Sequence, residues 1–209
     1  MTVDTAASSI TDEEIVSRTL LGEKHLFEIL IRRFNVRLYR IGMAIISDDM
    51  EVEDAMQTAY LNAYQHLAEF QSRSQFSTWL TRIFINECLR SAKRKKRESA
   101  TSLDNLEVAL LETPVNGIMN NELKNLLEDS IARLPEKYRM VFVMREVEEI
   151  STQETMEILS LTESNVKVRL NRAKEMLRSN LDGYYRQTFN FHLNRCDRVV
   201  HAVMKRILD

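Results

Sequence analysis

The sequence predicts an all-α protein of two small helical domains joined by a flexible linker, with an amphipathic helix at the C-terminus. Three observations carry this. Four glycines and two prolines in 209 residues are about a quarter of the usual share of roughly 12%, so the turn chemistry that many strands need is missing. Apolar residues recur at spacings of three and four over long stretches, the mark of amphipathic helices. One aperiodic stretch, 99–117, is rich in Ser, Thr, Asp and Asn with Pro114 and Gly117, and it divides the periodic part in two. A hydrophobic content of 44% gives each half the material for a core.

Residues 1–19 are set apart as an N-terminal tail and 20–97 as the first domain. Helical spacing begins near Thr11 and is clear through Leu26, Ile29, Leu30, Phe34, Leu38, Ile41 and Ile45. Ser47-Asp48-Asp49 supplies a start signal for a helix over about 50–69. It has Val52, Ala55, Ala59, Ala63 and Leu67 on one side and Asp54, Gln57, Asn62 and Gln65 on its flanks. A polar loop at 70–75 precedes a helix over about 76–93, with Phe76, Trp79, Leu80, Ile83 and Phe84 in phase. Residues 98–117 form the linker, in which Leu103, Leu106 and Leu110 offer a short helix or an apolar foothold for a partner.

The second domain spans 118–181. Leu123, Leu126, Leu127 and Ile131 mark its first helix, and Leu134-Pro135 breaks it. Pro135 suits the first position of the next helix, which runs through Tyr138, Val141, Phe142 and Val147. Ser151-x-x-Glu154 is a capping box for a third helix with Met156 and Leu159 inward, and after the tight turn Ser160-Leu161, Thr162 caps the fourth. The extension 182–209 ends in the apolar stripe Cys196, Val199, Val200, Val203 and Ile207.

Charge is segregated although the net is only −2. Residues 90–97 (Arg-Ser-Ala-Lys-Arg-Lys-Lys-Arg) hold six positive charges and no negative one. Asp104, Glu107, Glu112, Glu122, Glu128 and Asp129 face only Lys124 across 104–129. A nucleic-acid footprint needs no more than such a local basic patch. The acidic start (Asp4, Asp12, Glu13, Glu14) does not read as a signal peptide. No stretch approaches the roughly 20 apolar residues of a membrane helix. Cys88 and Cys196 make no disulfide framework, so packed cytosolic thiols and a cytoplasmic location are expected. His192, Cys196 and His201 lack zinc spacing. Without a Gly-rich phosphate loop, paired carboxylates or a nucleophile elbow, neither metal, cofactor nor catalysis is expected.

Two stretches point to nucleic acid. Residues 151–178 read as a helix-turn-helix whose second helix, at 100° per residue, gathers Val166, Leu170, Ala173 and Leu177 in one arc. Ser164, Val168, Asn171, Arg172 and Glu175 project the other way, with Lys167 and Arg178 on one flank. Cations there can meet phosphates, while Ser164, Asn171 and Arg172 can reach base edges in a major groove. An ordinary helical hairpin shares the apolar seam. The short first helix, the tight turn and the cations Lys167, Arg169, Arg172 and Lys174 favour DNA. The second stretch runs from Phe70 to Asn86 and into the basic run. A polar loop beside aromatics and cations suits an unstacked single strand. Phe76 and Trp79 fit a core by spacing, but Ser72 to Gln75, Ser77 and Thr78 follow no burial pattern.

With these motifs in order, the chain resembles bacterial RNA polymerase sigma factors of the extracytoplasmic-function type, group four of the sigma-70 family, over about residues 20–181. Asp54-Ala-Met-Gln57-x-Ala-Tyr60-Leu61-x-Ala-Tyr64 is similar to the family helix that binds the polymerase clamp. Phe76-Ser-Thr-Trp-Leu-x-Arg82-Ile-x-x-Asn86 is similar to the segment that melts and reads the minus-ten element. Leu134-Pro-x-x-Tyr138-Arg139, Arg145-Glu-Val-x-x-Ile150-Ser and Val166-Lys-Val-Arg-Leu-x-Arg172-Ala-Lys174 are similar to the domain that reads the minus-thirty-five element.

The resemblance implies a subunit that directs core RNA polymerase to specific promoters and helps open the minus-ten region. It makes 20–97 sigma region two, 118–181 sigma region four, and 98–117 a strap threading toward the polymerase active-site channel. It implies that Asp54, Gln57, Tyr60 and Leu61 bind core polymerase. It gives single-stranded minus-ten DNA to Gln71, Ser72, Arg73, Ser74, Gln75, Ser77, Thr78, Arg82, Asn86, Lys93 and Arg94, with a flipped base held by the loop 71–75. Extruding a base costs a few kcal/mol, which a preformed polar pocket offsets. Ser164, Asn165, Lys167, Val168, Asn171 and Arg172 would read the minus-thirty-five duplex. Thr162 and Ser164-Asn165 stand where many members have Pro and Gly-Thr. Val168 stands where Ser is frequent, and a valine can contact a thymine methyl. The extension resembles tails with an Arg-Cys-Asp-Arg-Val-Val core on some members. Factors of this type are often held inactive by an anti-sigma protein wedged between the domains, which implies a further partner.

The competing reading is a stand-alone helix-turn-helix regulator, dimeric through its C-terminal helix, with 20–96 as a sensor. It leaves the loop 71–75 and the Asp54/Gln57 helix without a purpose. A recombinase-like enzyme would need a nucleophile or metal carboxylates that the sequence does not offer.

Overall fold

The computed structural model describes residues 10–71, 74–101, 118–181 and 204; among them there is no strand. Helix α1 (Asp12–Leu20) opens on Thr11, whose hydroxyl accepts the Glu14 amide at 3.2 Å. Asp12, Glu13 and Glu14 in its first turn complement the helix dipole. Its Ile15, Val16 and Thr19 are buried, so residues 12–19, expected as tail, belong to the first packing unit. Only two of its buried residues, Ile15 and Val16, are apolar, too few for the spacing that begins near Thr11 to mark this helix as part of the domain.

A turn through Gly22 (φ 111°) and a 3₁₀ turn (Lys24–Leu26) lead into α2 (Phe27–Met43). Helix α3 (Asp49–Gln65) is capped by Asp48, whose carboxylate accepts the Glu51 amide at 3.1 Å. After a 3₁₀ turn (Leu67–Glu69) comes α4 (Phe76–Thr101). The expected seams meet here: Leu30, Phe34, Leu38 and Ile41 of α2, Val52, Ala59 and Ala63 of α3, and Phe76, Leu80 and Phe84 of α4 are all buried in one cluster. Helix α4 does not stop at 93 but carries the basic run outward. Lys and Arg are good helix formers, and Lys95 pairs with Glu51 of α3 at 2.7 Å.

The second half comprises α5 (Ile118–Ala132), α6 (Glu136–Phe142), a π-helical turn (Val143–Val147), α7 (Thr152–Leu159) and α8 over 163–181. Pro135 precedes α6 as its cap, at φ −55° and ψ 138°, one place earlier than expected. Helix α6 was expected to run through Val147; instead it widens at Val143. On α7, Thr155 and Ile158 are buried while Met156 and Leu159 are half-buried, a rotation of one residue from the expectation. The rotation follows from α7 packing against α4 as well as its own neighbours.

The two halves are not independently packed. Leu134, Tyr138, Ala173 and Leu177 form a small core of the second half. Met140, Val143, Met144, Ile150 and Ile158 join the large cluster of the first half instead. Helices of seven or eight residues bury little area alone, and this apolar surface finds cover on α2 and α4. The linker expected at 102–117 and the extension at 182–203 and 205–209 lie outside the described residues. No described helix is long and apolar enough to cross a membrane.

Candidate nucleic-acid interface

The helix-turn-helix is built by local chemistry. The Ser151 hydroxyl accepts the Glu154 amide at 3.1 Å and the Glu154 carboxylate accepts the Ser151 amide at 3.0 Å, completing the expected capping box. Ser160 takes the left-handed conformation (φ 52°, ψ 47°) and ends α7, while the Leu161 amide donates back to the Met156 carbonyl at 3.0 Å. The Thr162 hydroxyl then accepts the Asn165 amide at 3.3 Å and its side-chain Nδ2 at 3.0 Å. That turn sets α8 with Val166, Ala173 and Leu177 inward.

Ser164, Asn165, Lys167, Val168, Asn171 and Arg172 are all exposed, Val168 at 45%. Asn165 is folded back on its own cap, and Lys167 pairs with Glu163 at 2.6 Å. Arg172 Nη1 donates to the Tyr138 hydroxyl at 3.2 Å, an interaction that lowers the Tyr138 phenol and raises the guanidinium from their ordinary values.

The edge expected to meet a single strand is less uniform. Gln71 and Gln75 are exposed and Ser74 is half-buried; Ser72 and Arg73 lie outside the described residues. Arg82 and Asn86 are exposed on α4, and Arg90, Lys93, Arg94 and Arg97 line a basic hollow further along it. Ser77 and Thr78 depart from expectation, because both are buried. The Ser77 hydroxyl donates to Gln75 Oε1 at 3.3 Å, and that of Thr78 donates to Glu154 Oε1, on α7, at 3.4 Å. Both lie in the first turn of α4, and Thr78 meets the second half through Glu154.

On α3, Asp54, Gln57 and Leu61 are exposed along one stripe, Leu61 at 63%. Tyr60 is 7% exposed and its hydroxyl donates to the Ile31 carbonyl at 3.2 Å. It is a core residue rather than a docking one, in phase with the Val52–Ala63 seam.

Sequence reading missed the junction of the halves. A cleft of about 390 Å³ opens there between Arg82, Ile85, Asn86 and Leu89 of α4 and Lys137, Met140, Ile158, Leu159 and Arg169. Its walls come from segments far apart in the chain. Among the described residues no cluster of His, Cys, Asp and Glu could hold a metal ion; His192, Cys196 and His201 lie outside them.

Residues 30–98 match the model of sigma-70 region 2, and residues 124–177 match that of sigma-70 region 4. The ECF RNA polymerase sigma factor SigW of Bacillus subtilis is 30% identical over 171 residues, covering 77% of this chain and 91% of the relative. The chain belongs to the ECF RNA polymerase sigma factors. The ECF sigma-E factor of Haemophilus influenzae is 28% identical over 185 residues, 84% of this sigma factor and 97% of that one. In fold, it is similar to the sigma factor RpoE in complex with the anti-sigma factor NepR from Bartonella quintana, with a TM-score of 0.66 at 18% identity, over 75% of this chain and 96% of that one. It is also similar to CnrH in complex with the cytosolic domain of CnrY, with a TM-score of 0.61 at 22% identity, over 82% and 97%. Sigma factors are non-enzymatic initiation factors that act with RNA polymerase at promoters. In this one, region 2 covers most of α2, all of α3 and most of α4, and region 4 runs from within α5 into α8.

Proposed function

We propose that this sigma factor, in the cytoplasm, directs core RNA polymerase to specific promoters and helps open the minus-ten region, with no catalysis of its own. The observation that carries the reading is α8, where Val166, Ala173 and Leu177 are buried and Leu170 half-buried while Ser164, Lys167, Val168, Asn171 and Arg172 stand exposed on one side of a capped helix-turn-helix. That face fits a major groove at the minus-thirty-five element. The exposed stripe Asp54, Gln57 and Leu61 is the proposed polymerase contact. The loop 71–75, with Arg82, Asn86, Lys93 and Arg94, is the proposed path of the minus-ten single strand. In domain terms, region two takes in α1, 98–117 joins it to region four at 118–181, and 182–209 extends the chain. The interdomain cleft, with an apolar floor and Arg82, Lys137 and Arg169 at its rim, supports an anti-sigma protein as a further partner.

Run-off transcription with purified core polymerase on a genomic promoter library tests this. Promoter-dependent initiation above core alone is expected. Tight, specific binding of the lone protein to duplex operators, without stimulated initiation, favours the stand-alone regulator.

A further inference from the structure

Within the second module, the exposed basic residues of α8 are Lys167, Arg172, Lys174 and Arg178. At 100° per residue, Lys167, Lys174 and Arg178 fall within about 40° of one another, along one flank of the row Ser164, Val168 and Asn171. Arg172 stands on the other flank, tied to Tyr138. A helix seated in a major groove turns its central row to the base edges and its flanks to the sugar–phosphate strands. Lys167, Lys174 and Arg178 are therefore placed to meet phosphates.

Both lysines of that flank already hold a carboxylate. Lys167 Nζ lies 2.6 Å from Glu163 Oε1, one turn back on α8. Lys174 Nζ lies 2.9 Å from Glu146 Oε1, on the π-helical turn. The first pair is local: acid before base at a spacing of four is the favoured order, and Glu163 at the start of α8 also complements the helix dipole. The second is tertiary, because Glu146 reaches α8 from another element of the module. The Lys167 hydrogen bond, and then its charge, hold the Glu163 carboxyl below its usual value. All four side chains are more than a third exposed, and ion pairs of that kind contribute little to folding. Their consequence lies in binding.

We propose that Glu146 and Glu163 are built-in counter-ions of the duplex-reading helix, lowering its affinity for all duplex DNA alike and leaving the choice of sequence to the row between its flanks. The proposal rests on the assignment of α8 to the minus-thirty-five duplex. A lysine that neutralises a phosphate releases about one condensed cation from DNA, and this release supplies nearly all sequence-independent affinity. A lysine that arrives with a carboxylate must give up that partner or carry its negative charge to the backbone. Either way the gain at that phosphate is largely cancelled. Contacts of Ser164, Val168 and Asn171 with base edges do not draw on it. The two acids thus weaken capture of the free chain by bulk DNA, and tight binding at a promoter depends on what polymerase adds.

The test uses the full chain and a promoter found by run-off transcription. Fluorescence anisotropy reads affinity for the minus-thirty-five duplex, its single-base variants and a duplex of unrelated sequence, between about 50 and 200 mM salt. Glu146→Gln and Glu163→Gln are each expected to tighten binding to every duplex by one common factor, about threefold to tenfold at the low-salt end. Each should steepen the fall of log affinity with log salt by about 0.9, and the double variant by about 1.8. Discrimination among the duplexes should hold within about twofold. Glu146→Asp keeps the charge and should stay near wild type. Glu28→Gln removes an exposed, arginine-paired acid of α2 and should move neither affinity nor slope. Unchanged affinity and slope in both Gln variants overturn the proposal. So does weaker binding, which would make the acids guides that aim the lysines at phosphate, and so does a gain confined to one sequence or matched by Glu28→Gln. Promoter-dependent initiation by the same variants would show that the function assigned above still stands, whereas its absence in the wild-type chain overturns that function itself.

Discussion

Arg172 on the outward side of α8 is tied to the hydroxyl of Tyr138, a residue of the small core that seats the same helix. One hydrogen bond thus links a candidate base-reading side chain to the packing beneath it. Arg172→Ala is expected to weaken discrimination at one upstream base pair by about 1–3 kcal/mol. Tyr138→Phe keeps the ring and removes the tether, so it should blunt the same discrimination more mildly. Competition binding with single-base variants of the minus-thirty-five duplex checks both; equal losses on every sequence would make Arg172 a phosphate contact.

The first module has no room at Gly42. A Cβ there would lie 2.7 Å from Val52 Cγ1 and 2.8 Å from Phe84 Cζ, two side chains with no exposure of their own. Gly42→Ala gains about 1 kcal/mol of helix propensity but overpacks the α2–α3–α4 junction at a cost of about 1–3 kcal/mol. A net loss of up to about 2 kcal/mol is expected, lowering Tm by several degrees. Urea and thermal unfolding of the purified variant measure it, and a more stable Gly42→Ala protein would mean the junction relaxes freely.

The seams and caps of this fold were legible because they are local. Asp48, Ser151 and Thr162 cap where the sequence placed them, and the spacing of Val52, Ala55, Ala59, Ala63 and Leu67 named a buried face without error. What escaped is set by distant partners. Tyr60 looked like a surface residue of the polymerase-binding motif, but its hydroxyl finds the Ile31 carbonyl on α2. Thr78 lacked a burial pattern because its hydroxyl meets Glu154 of α7, far along the chain. Glu148 reads as one acid among several, and only its approach to Arg37 and Arg40 marks it.

Cys88 is fully buried in α4, and burial, then the neighbouring Glu87, pushes its thiol up to about 12. It should therefore react slowly at neutral pH, since the thiolate is the nucleophile. In a Cys196→Ser chain, labelling by a thiol reagent should be at least about a hundredfold slower in native buffer than in denaturant, as expected when only rare opening exposes the group. Rapid native labelling would show that the first module opens readily around α4.

Glu154 joins the capping box to the module junction, so acid should loosen both. Burial pushes its carboxyl upward, but the Ser151 hydroxyl and amide, the Thr78 hydroxyl and the charge of Arg37 outweigh that and hold it below the usual 4.5. A carboxyl depressed in the folded state contributes stability that is fully present above the unfolded value and is lost as pH falls through the folded one. Stability should therefore drop below about pH 4.5, and a Glu154→Gln chain should lose less over that window while starting lower at pH 7. Ser151→Ala should cost about 1 kcal/mol at neutral pH through the lost cap and flatten the acid limb as well. Unfolding curves of the three proteins between pH 3 and 7 decide it: parallel pH profiles would remove Glu154 from the acid response.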